Sequence, residues 1–225
     1  MANSPQQIVT LHIQLRGIEP EIWRRVQVPA DFTLRRVHDV IQATFDWYDY
    51  HLHQFFVAGR QYGMPEVEGD DWGGPRLYSS KNVRLSKLLE WGVESFVYIY
   101  DFGDDWIHDI TIEKVGQPDQ GVEYPVLVGG ERRAPPEDVG GPPGFFEFVE
   151  AMMDRNHPDH DQLFEWYGYE PFVLDDIERD VVEVQLERIR AQRRKGPRRS
   201  TGRRPPSGAR RSDYPWQVVV RPTPT

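Results

Sequence analysis

Two aromatic, strand-like runs flank an acidic glycine turn in the stretch Tyr98-Ile99-Tyr100-Asp101-Phe102-Gly103-Asp104-Asp105-Trp106-Ile107-His108-Asp109-Ile110. Successive side chains of a strand point to opposite faces, so each run carries its aromatic rings on one face. The pattern predicts a β-hairpin whose tip presents carboxylates beside a histidine. The candidate site residues in this stretch are Tyr100, Asp101, Asp104, Asp105, Trp106 and His108.

The length of the hairpin loop decides which side chains face each other. A three-residue loop, 103–105, places Tyr100 opposite His108, whereas a two-residue loop places Asp101 opposite Trp106. We favour the three-residue loop, because an aromatic face against an aromatic face buries more surface. Asp is also an ordinary residue of turns, so the acidic tip has a purely structural interpretation as well.

Earlier in the chain, alternating apolar residues predict a strand with one wet face, at Val9, Leu11, Ile13 and Leu15. Residues 22–28 are interpreted as the returning strand of a first hairpin. Thr33 is a candidate N-cap, because its hydroxyl can accept a hydrogen bond from the first helical turn. Apolar residues at helical spacing then predict an amphipathic helix over 34–46, packed on that hairpin.

A third strand is predicted over residues 51–58, with His51 and His53 on a common face. Two imidazoles that point the same way can share a metal ion. The alternative is a pair of structural histidines on an aromatic face. Together with Asp104 and His108, these two residues complete the metal-ligand candidates.

The segments between and after the strands are predicted as loops and helices. Residues 60–83 are polar and acidic, typical of a long excursion from the sheet. Residues 129–144 are rich in Gly and Pro and are predicted as a stiff loop that carries two further site candidates, Glu137 and Asp138. Helical segments are predicted at about 145–153, 161–167 and 175–190.

Composition excludes several classes of protein. The 225 residues contain no cysteine, which excludes disulfides, thiolate metal sites and cysteine nucleophiles. The first residues lack the pattern of a signal peptide, and no apolar run is long enough to span a bilayer. We therefore expect a cytoplasmic protein without a membrane partner.

Charge is divided unevenly along the chain. Residues 188–225 hold twelve Arg or Lys and one Asp, which leaves 15 basic and 35 acidic residues in 1–187. We predict a domain over residues 1–190 and an Arg- and Pro-rich tail over 191–225 that is disordered beyond about Lys195.

Clustered arginines can contact nucleic-acid phosphates without reading sequence. The candidates in the tail are Arg193, Arg194, Lys195, Arg198, Arg199, Arg203 and Arg204. The alternative is a solvated tail, or one that folds back on the acidic body.

Four ordered motifs resemble those of the plasmid pRiA4b ORF-3-like family: residues 20–26 (PEIWRRV), 51–55 (HLHQF), 100–108 (YDFGDDWIH) and 135–142 (PPEDVGGP). The resemblance spans about residues 8–190. It implies an uncharacterised α+β protein of the kind met on plasmids, mobile elements and chromosomes, and it implies no activity.

The predicted fold is α+β, with an antiparallel or mixed sheet of about 5–6 strands built from two hairpins, one early packed helix and a helical C-terminal segment. The favoured function is an accessory or interaction domain with an aromatic–acidic cleft lined by Trp23, Tyr98, Tyr100 and Trp106, which would take a protein partner. The first alternative is a metal-dependent hydrolase, and the second is nucleic-acid binding through the tail. No cofactor is assigned, although the carboxylates and histidines could hold a divalent metal.

Overall fold

A computed structural model describes residues 7–65 and 76–195. Within these residues the chain forms one eight-stranded sheet and five helices, so the fold class is α+β as predicted. The strands are β1 (Ile8–Leu15), β2 (Trp23–Pro29), β3 (His53–Val57), β4 (Arg60–Gly63), β5 (Leu77–Ser79), β6 (Ser95–Tyr100), β7 (Trp106–Gly116) and β8 (Val126–Glu131). The helices are α1 (Leu34–Phe45), α2 (Leu85–Glu90), α3 (Gly141–Met153), α4 (His160–Trp166) and α5 (Arg179–Arg194).

The strands lie in the order β5-β4-β3-β6-β7-β1-β2-β8. All neighbouring pairs are antiparallel except β4 and β5, which are parallel. The two predicted hairpins, β1–β2 and β6–β7, are joined through the pairing of β1 with β7. In this order β6 and β7 are the fourth and fifth of the eight strands, so the second hairpin forms the centre of the sheet.

The core is one apolar cluster built from strands β1–β4, β6 and β7 and from helices α1, α2, α3 and α5. Strands β5 and β8 pack partly buried residues against it. Alternate residues of β1 are fully buried, as the alternation predicts. In α1 the apolar stripe is buried, and Thr33 caps the helix by accepting a hydrogen bond from the Arg36 N–H at 3.3 Å. In β1 and α1, the residues that the sequence pattern predicts to be buried are buried.

The sheet has more strands than the 5–6 predicted, because β4 and β5 lie in the stretch predicted as an excursion. They span four and three residues, too short for an alternating pattern to be visible. Helix α3 likewise begins at Gly141, inside the predicted 129–144 loop, with prolines in its first turn. Proline is tolerated there because the first N–H groups of a helix need no intrahelical acceptor.

Both predicted registers of the second hairpin are wrong. Tyr100 pairs with Trp106 and Tyr98 with His108, so the loop has five residues, 101–105. The aromatic faces still lie against each other. The longer loop arises because Asp101 and Asp105 adopt left-handed conformations, with φ of 56° each, and the Asp105 N–H bonds to the Asp101 carbonyl oxygen at 2.7 Å.

Candidate functional site

The acidic turn of the second hairpin meets the Pro-Pro-Glu-Asp loop at the surface. The Gly140 N–H donates to Asp104 Oδ2 at 3.1 Å. Gly141 lies so close that a Cβ on it would be 2.6 Å from the Asp104 carbonyl oxygen. Glycine is therefore required for the two loops to approach.

His51 joins the two loops from a third segment of the chain. Its Nε2 lies 3.1 Å from Asp138 Oδ1 and 3.5 Å from Asp101 Oδ2. The three ligand atoms all lie within 4.8 Å of one another. Asp101 uses its other oxygen, Oδ1, to accept from the Gly103 N–H at 2.9 Å. We call these three residues the surface cluster.

The Tyr100 hydroxyl holds the surface cluster together from beneath. It accepts from the backbone N–H groups of Tyr50 and His51 and donates to Glu137 Oε1 at 2.7 Å. Burial, reinforced by Glu137, raises the pKa of Tyr100 above its ordinary value, so the hydroxyl keeps its proton. The hydrogen bond from the His51 N–H to the Tyr100 hydroxyl holds the backbone of His51 beside the two loops.

The two carboxylate oxygens of Glu137 differ in their hydrogen bonding. Oε1 accepts from Tyr100 and from the Tyr48 N–H at 2.8 Å. Oε2 is buried and has no hydrogen-bond partner among the described residues. Burial raises the pKa of Glu137, because the charged form loses hydration.

A second histidine–aspartate group, the buried cluster, consists of His38, Asp49 and His53, whose ligand atoms also lie within 4.8 Å. His38 Nε2 lies 2.9 Å from Asp49 Oδ1, and its Nδ1 lies 2.8 Å from the Tyr98 hydroxyl. Because a carboxylate only accepts, Nε2 carries the proton and Nδ1 accepts from Tyr98. The His53 ring stacks on His38 at 3.7 Å, with 18° between the planes.

The structure brings together five of the eight candidate site residues: Tyr100, Asp101, Asp104, Glu137 and Asp138. Asp105 is exposed and serves the turn. Trp106 and His108 lie in the core, 1% and 0% exposed. His108 Nδ1 lies 3.0 Å from the Trp106 carbonyl oxygen, and burial lowers its pKa to about 3.

The described residues do not form the aromatic cleft that the sequence predicted. Tyr98, Tyr100 and Trp106 are at most 1% exposed, because their rings fill the core beneath α1. The exposed rings beside the surface cluster are instead Tyr48 and Tyr50, stacked at 5.6 Å. Neither ring was among the residues predicted from the sequence. Their signal is the run of aromatic and acidic residues over 46–50, just after a helix.

Two basic candidates of the tail belong to α5 and contact carboxylates of the body. Arg193 lies 3.4 Å from Asp31, and Arg194 pairs with Glu123 and Glu187. Lys195 follows the helix. The other candidates, Arg198, Arg199, Arg203 and Arg204, and the predicted disorder lie outside the described residues.

These features define an α+β protein with an eight-stranded sheet and a surface histidine–aspartate cluster. The family model for plasmid pRiA4b ORF-3-like protein matches residues 7–181. The uncharacterized protein y4hQ of Sinorhizobium fredii (strain NBRC 101917 / NGR234) is 40% identical over 161 residues, covering 72% of this chain and 81% of the relative. The chain belongs to the plasmid pRiA4b ORF-3-like family, which confirms the resemblance.

A solved structure has the same fold. The crystal structure of a protein of unknown function, MM3350 from Methanosarcina mazei Go1, matches with a TM-score of 0.67 and 36% identity, over 76% of this chain and 97% of that one. Within the described residues, no helix of the present chain is both long and apolar enough to cross a membrane.

Proposed function

We propose that this chain is an accessory protein that binds one divalent metal ion through His51, Asp101 and Asp138. The observation that carries the proposal is the convergence of one imidazole nitrogen and two carboxylates from three separate segments of the chain. Nothing about local turn geometry requires a histidine beside both loops. A bound cation would account for this combination.

The spacing of the ligand atoms supports the proposal. Metal–ligand bonds to nitrogen and oxygen are about 2.0–2.2 Å, so adjacent ligands of one ion lie roughly 3 Å apart. The distances from His51 Nε2 to the two carboxylates, 3.1 and 3.5 Å, are close to that spacing. Small rotations of the two Asp side chains would therefore suffice to bind an ion.

The ligand types favour a transition-series cation. Imidazole nitrogen suits zinc and iron, whereas carboxylate oxygen also suits manganese. A single imidazole with two carboxylates leaves other coordination positions for water or a ligand. Mn²⁺ and Zn²⁺ are accordingly the two probes of choice.

Metal titration of the full chain tests the proposal. We expect chelator-treated protein to bind one equivalent of Mn²⁺ or Zn²⁺ by calorimetry. His51→Ala should weaken this binding more than about 100-fold, beyond what loss of an outer contact costs. His157→Ala is the matched control, because His157 also lies near an Asp and its side chain is 29% exposed, against 28% for His51.

Two results would contradict the metal proposal. One is saturable binding that survives both His51→Ala and Asp138→Asn, which would place the ion elsewhere. The other is the absence of stoichiometric binding by the unmodified chain, which would leave the cluster as an ion-pair network.

Metal-dependent hydrolysis is a second candidate, favoured by Glu137 Oε2. Glu137 immediately precedes Asp138 of the surface cluster, and its Oε2 is buried with no hydrogen-bond partner among the described residues, so this oxygen is available to accept a proton. We expect Glu137→Gln to retain the metal ion and lose hydrolysis of a generic phosphodiester such as bis(p-nitrophenyl) phosphate. The candidate fails if the metal-loaded chain hydrolyses no such ester, or if Glu137→Gln hydrolyses it at the unmodified rate.

A further inference from the structure

A cavity of about 140 Å³ lies on the other side of Glu137, between the end of α1, β2 and the segment that precedes α5. Its walls include charged residues of both signs and the rings of Phe45, Tyr48 and Tyr167. An engineered apolar cavity of roughly 150 Å³ holds benzene, so the volume suits a ligand of a few heavy atoms.

Arg24 is the buried cation of this cavity, with 1% of its surface exposed. Its Nε and Nη1 donate to three backbone carbonyl oxygens, those of Thr44, Trp23 and Glu131. These bonds leave Nη2 unused, and Arg24 forms no ion pair with any described residue. Burial lowers its pKa to about 10, helped by repulsion from Arg179, so it is charged at neutral pH.

Asp46 is the corresponding anion of the cavity. It follows α1 in a left-handed conformation, with φ of 55°, and forms no ion pair within the described part of the chain. Its half-buried carboxylate hydrogen-bonds to Gln185 and is attracted by Arg133, but burial outweighs both and raises its pKa. Of the other charged residues of the wall, Arg133 and Glu178 pair with each other, and Glu137 accepts hydrogen bonds from Tyr100 and the Tyr48 N–H through Oε1.

An unpaired buried charge is costly, and the buried Arg24 lines the cavity without an ion-pair partner, while the half-buried Asp46 lies on the same wall. We propose that the cavity binds a small zwitterion of amino-acid size, with its carboxylate on Arg24 Nη2 and its ammonium group on Asp46. Such a ligand would give each of the two side chains an ion-pair partner. A plain anion would leave Asp46 without such a partner, and a plain amine would leave Arg24 without one. The aromatic rings would pack against the ligand's carbon atoms.

Three probes separate these options: L-alanine, propanoate, which lacks the amine, and ethylammonium, which lacks the carboxylate. We would follow backbone amide shifts of the full chain by NMR during each titration. L-alanine should cause saturable shifts around residues 44–48 and 133–137. Each deletion analogue should bind at least about tenfold more weakly, since a charged hydrogen bond is lost.

Asp46→Asn is the informative variant, because Asn tolerates the left-handed conformation and the fold should be kept. This substitution should weaken the binding of L-alanine about tenfold and leave the binding of propanoate unchanged. Glu147→Gln, which removes an exposed carboxylate outside the cavity, is the control and should bind as the unmodified chain does. Arg24 is unsuitable for substitution, because it also holds three backbone carbonyls.

Two outcomes would overturn the inference: propanoate that binds as tightly as L-alanine, or no saturable shift with any probe. The metal-free chain and His51→Ala should bind L-alanine normally. The inference therefore stands or falls independently of the metal site.

Discussion

His51 and His53 are two residues apart in the chain, yet one belongs to the surface cluster and the other to the buried cluster. Both clusters contain the residue types of a metal site at comparable spacing. In the surface cluster, the imidazole nitrogen lies beside carboxylates from two other loops. In the buried cluster, both rings lie inside the core with 0% of their surface exposed.

Ring orientation explains why spacing alone does not identify a site. The lone pair of an imidazole nitrogen lies in the ring plane. Two nearly parallel rings stacked at 3.7 Å therefore cannot both aim at an ion between them. His38 is also committed to Tyr98 and Asp49 by hydrogen bonds. The buried cluster is thus part of the packing, whereas the surface cluster keeps a nitrogen available.

The largest effect that separates the clusters is expected for His38→Ala. The substitution leaves a cavity and removes the partner of both the Tyr98 hydroxyl and Asp49, so the free energy of unfolding should fall by about 4 kcal/mol. Urea denaturation measures this loss. Metal stoichiometry of the folded variant should not change.

A contrary result for His38→Ala would reverse the two roles. If the variant kept its stability and lost the metal ion, the buried cluster would be the metal site. Gln14→Ala is a suitable control for the measurement, because Gln14 lies on the wet face of β1 and, among the described residues, its side chain bonds only to Glu21.

The next effect concerns the junction of loops that builds the surface cluster. Gly141→Ala should cost about 2 kcal/mol more than Gly92→Ala, because an added Cβ overpacks against the Asp104 carbonyl. The two glycines have nearly the same φ, 67° and 69°, and Gly92 has no atom within 4 Å of the added Cβ. Equal losses of stability in denaturation would show that backbone strain alone matters and that the loops do not depend on this approach.

The sequence was sufficient to predict the strands and helices whose apolar residues recur at a regular spacing. The alternation in β1 and the spacing in α1 after Thr33 gave the correct elements, because burial of one face requires that period. The family motifs also lie on loops that the structure brings together, since Asp101 and Asp138 both lie near His51. Short edge strands such as β4 carry no comparable signal.

The site itself was only partly predictable. A period of two places His51 and His53 on one face, but β3 begins at His53, so His51 lies outside the strand and turns to the loops. Asp46 and Tyr48 follow α1 in irregular backbone, where no periodicity reports their direction. The contact of Arg24 with three carbonyls depends on β8 and α1 together, which one local sequence does not encode.

A pH effect of intermediate size belongs to the buried cluster. Burial lowers the pKa of His53 to about 2. An unfolded His titrates near pH ~6.5. Below that pH the unfolded chain binds a proton that the folded chain does not bind, so the free energy of unfolding decreases as the pH is lowered. The expected contribution of His53 is about 1.4 kcal/mol per pH unit, complete above pH ~6.5 and lost as the pH falls toward 2.

His53→Leu should therefore flatten the dependence of the unfolding free energy on pH by about 1.4 kcal/mol per unit between pH ~6 and ~4. Urea denaturation at several pH values measures the slope. Phe55→Leu, the next core residue on the same face, lowers stability without removing a titratable group and should leave the slope unchanged. An unaltered slope in His53→Leu would mean that folded His53 accepts a proton.

The smallest effect on stability is expected for His51→Ala in metal-free protein. The side chain is 28% exposed and its partner Asp138 is 66% exposed, so the ion pair should contribute less than about 1 kcal/mol. Metal should then separate the two proteins. At 100 times the dissociation constant, a bound ion stabilises the unmodified chain by about 2.7 kcal/mol, and the variant should gain almost nothing. Equal stabilisation of both proteins by the metal would assign the ion to another site. If His51→Ala without metal lost as much unfolding free energy as His38→Ala, the surface cluster would have a structural role instead.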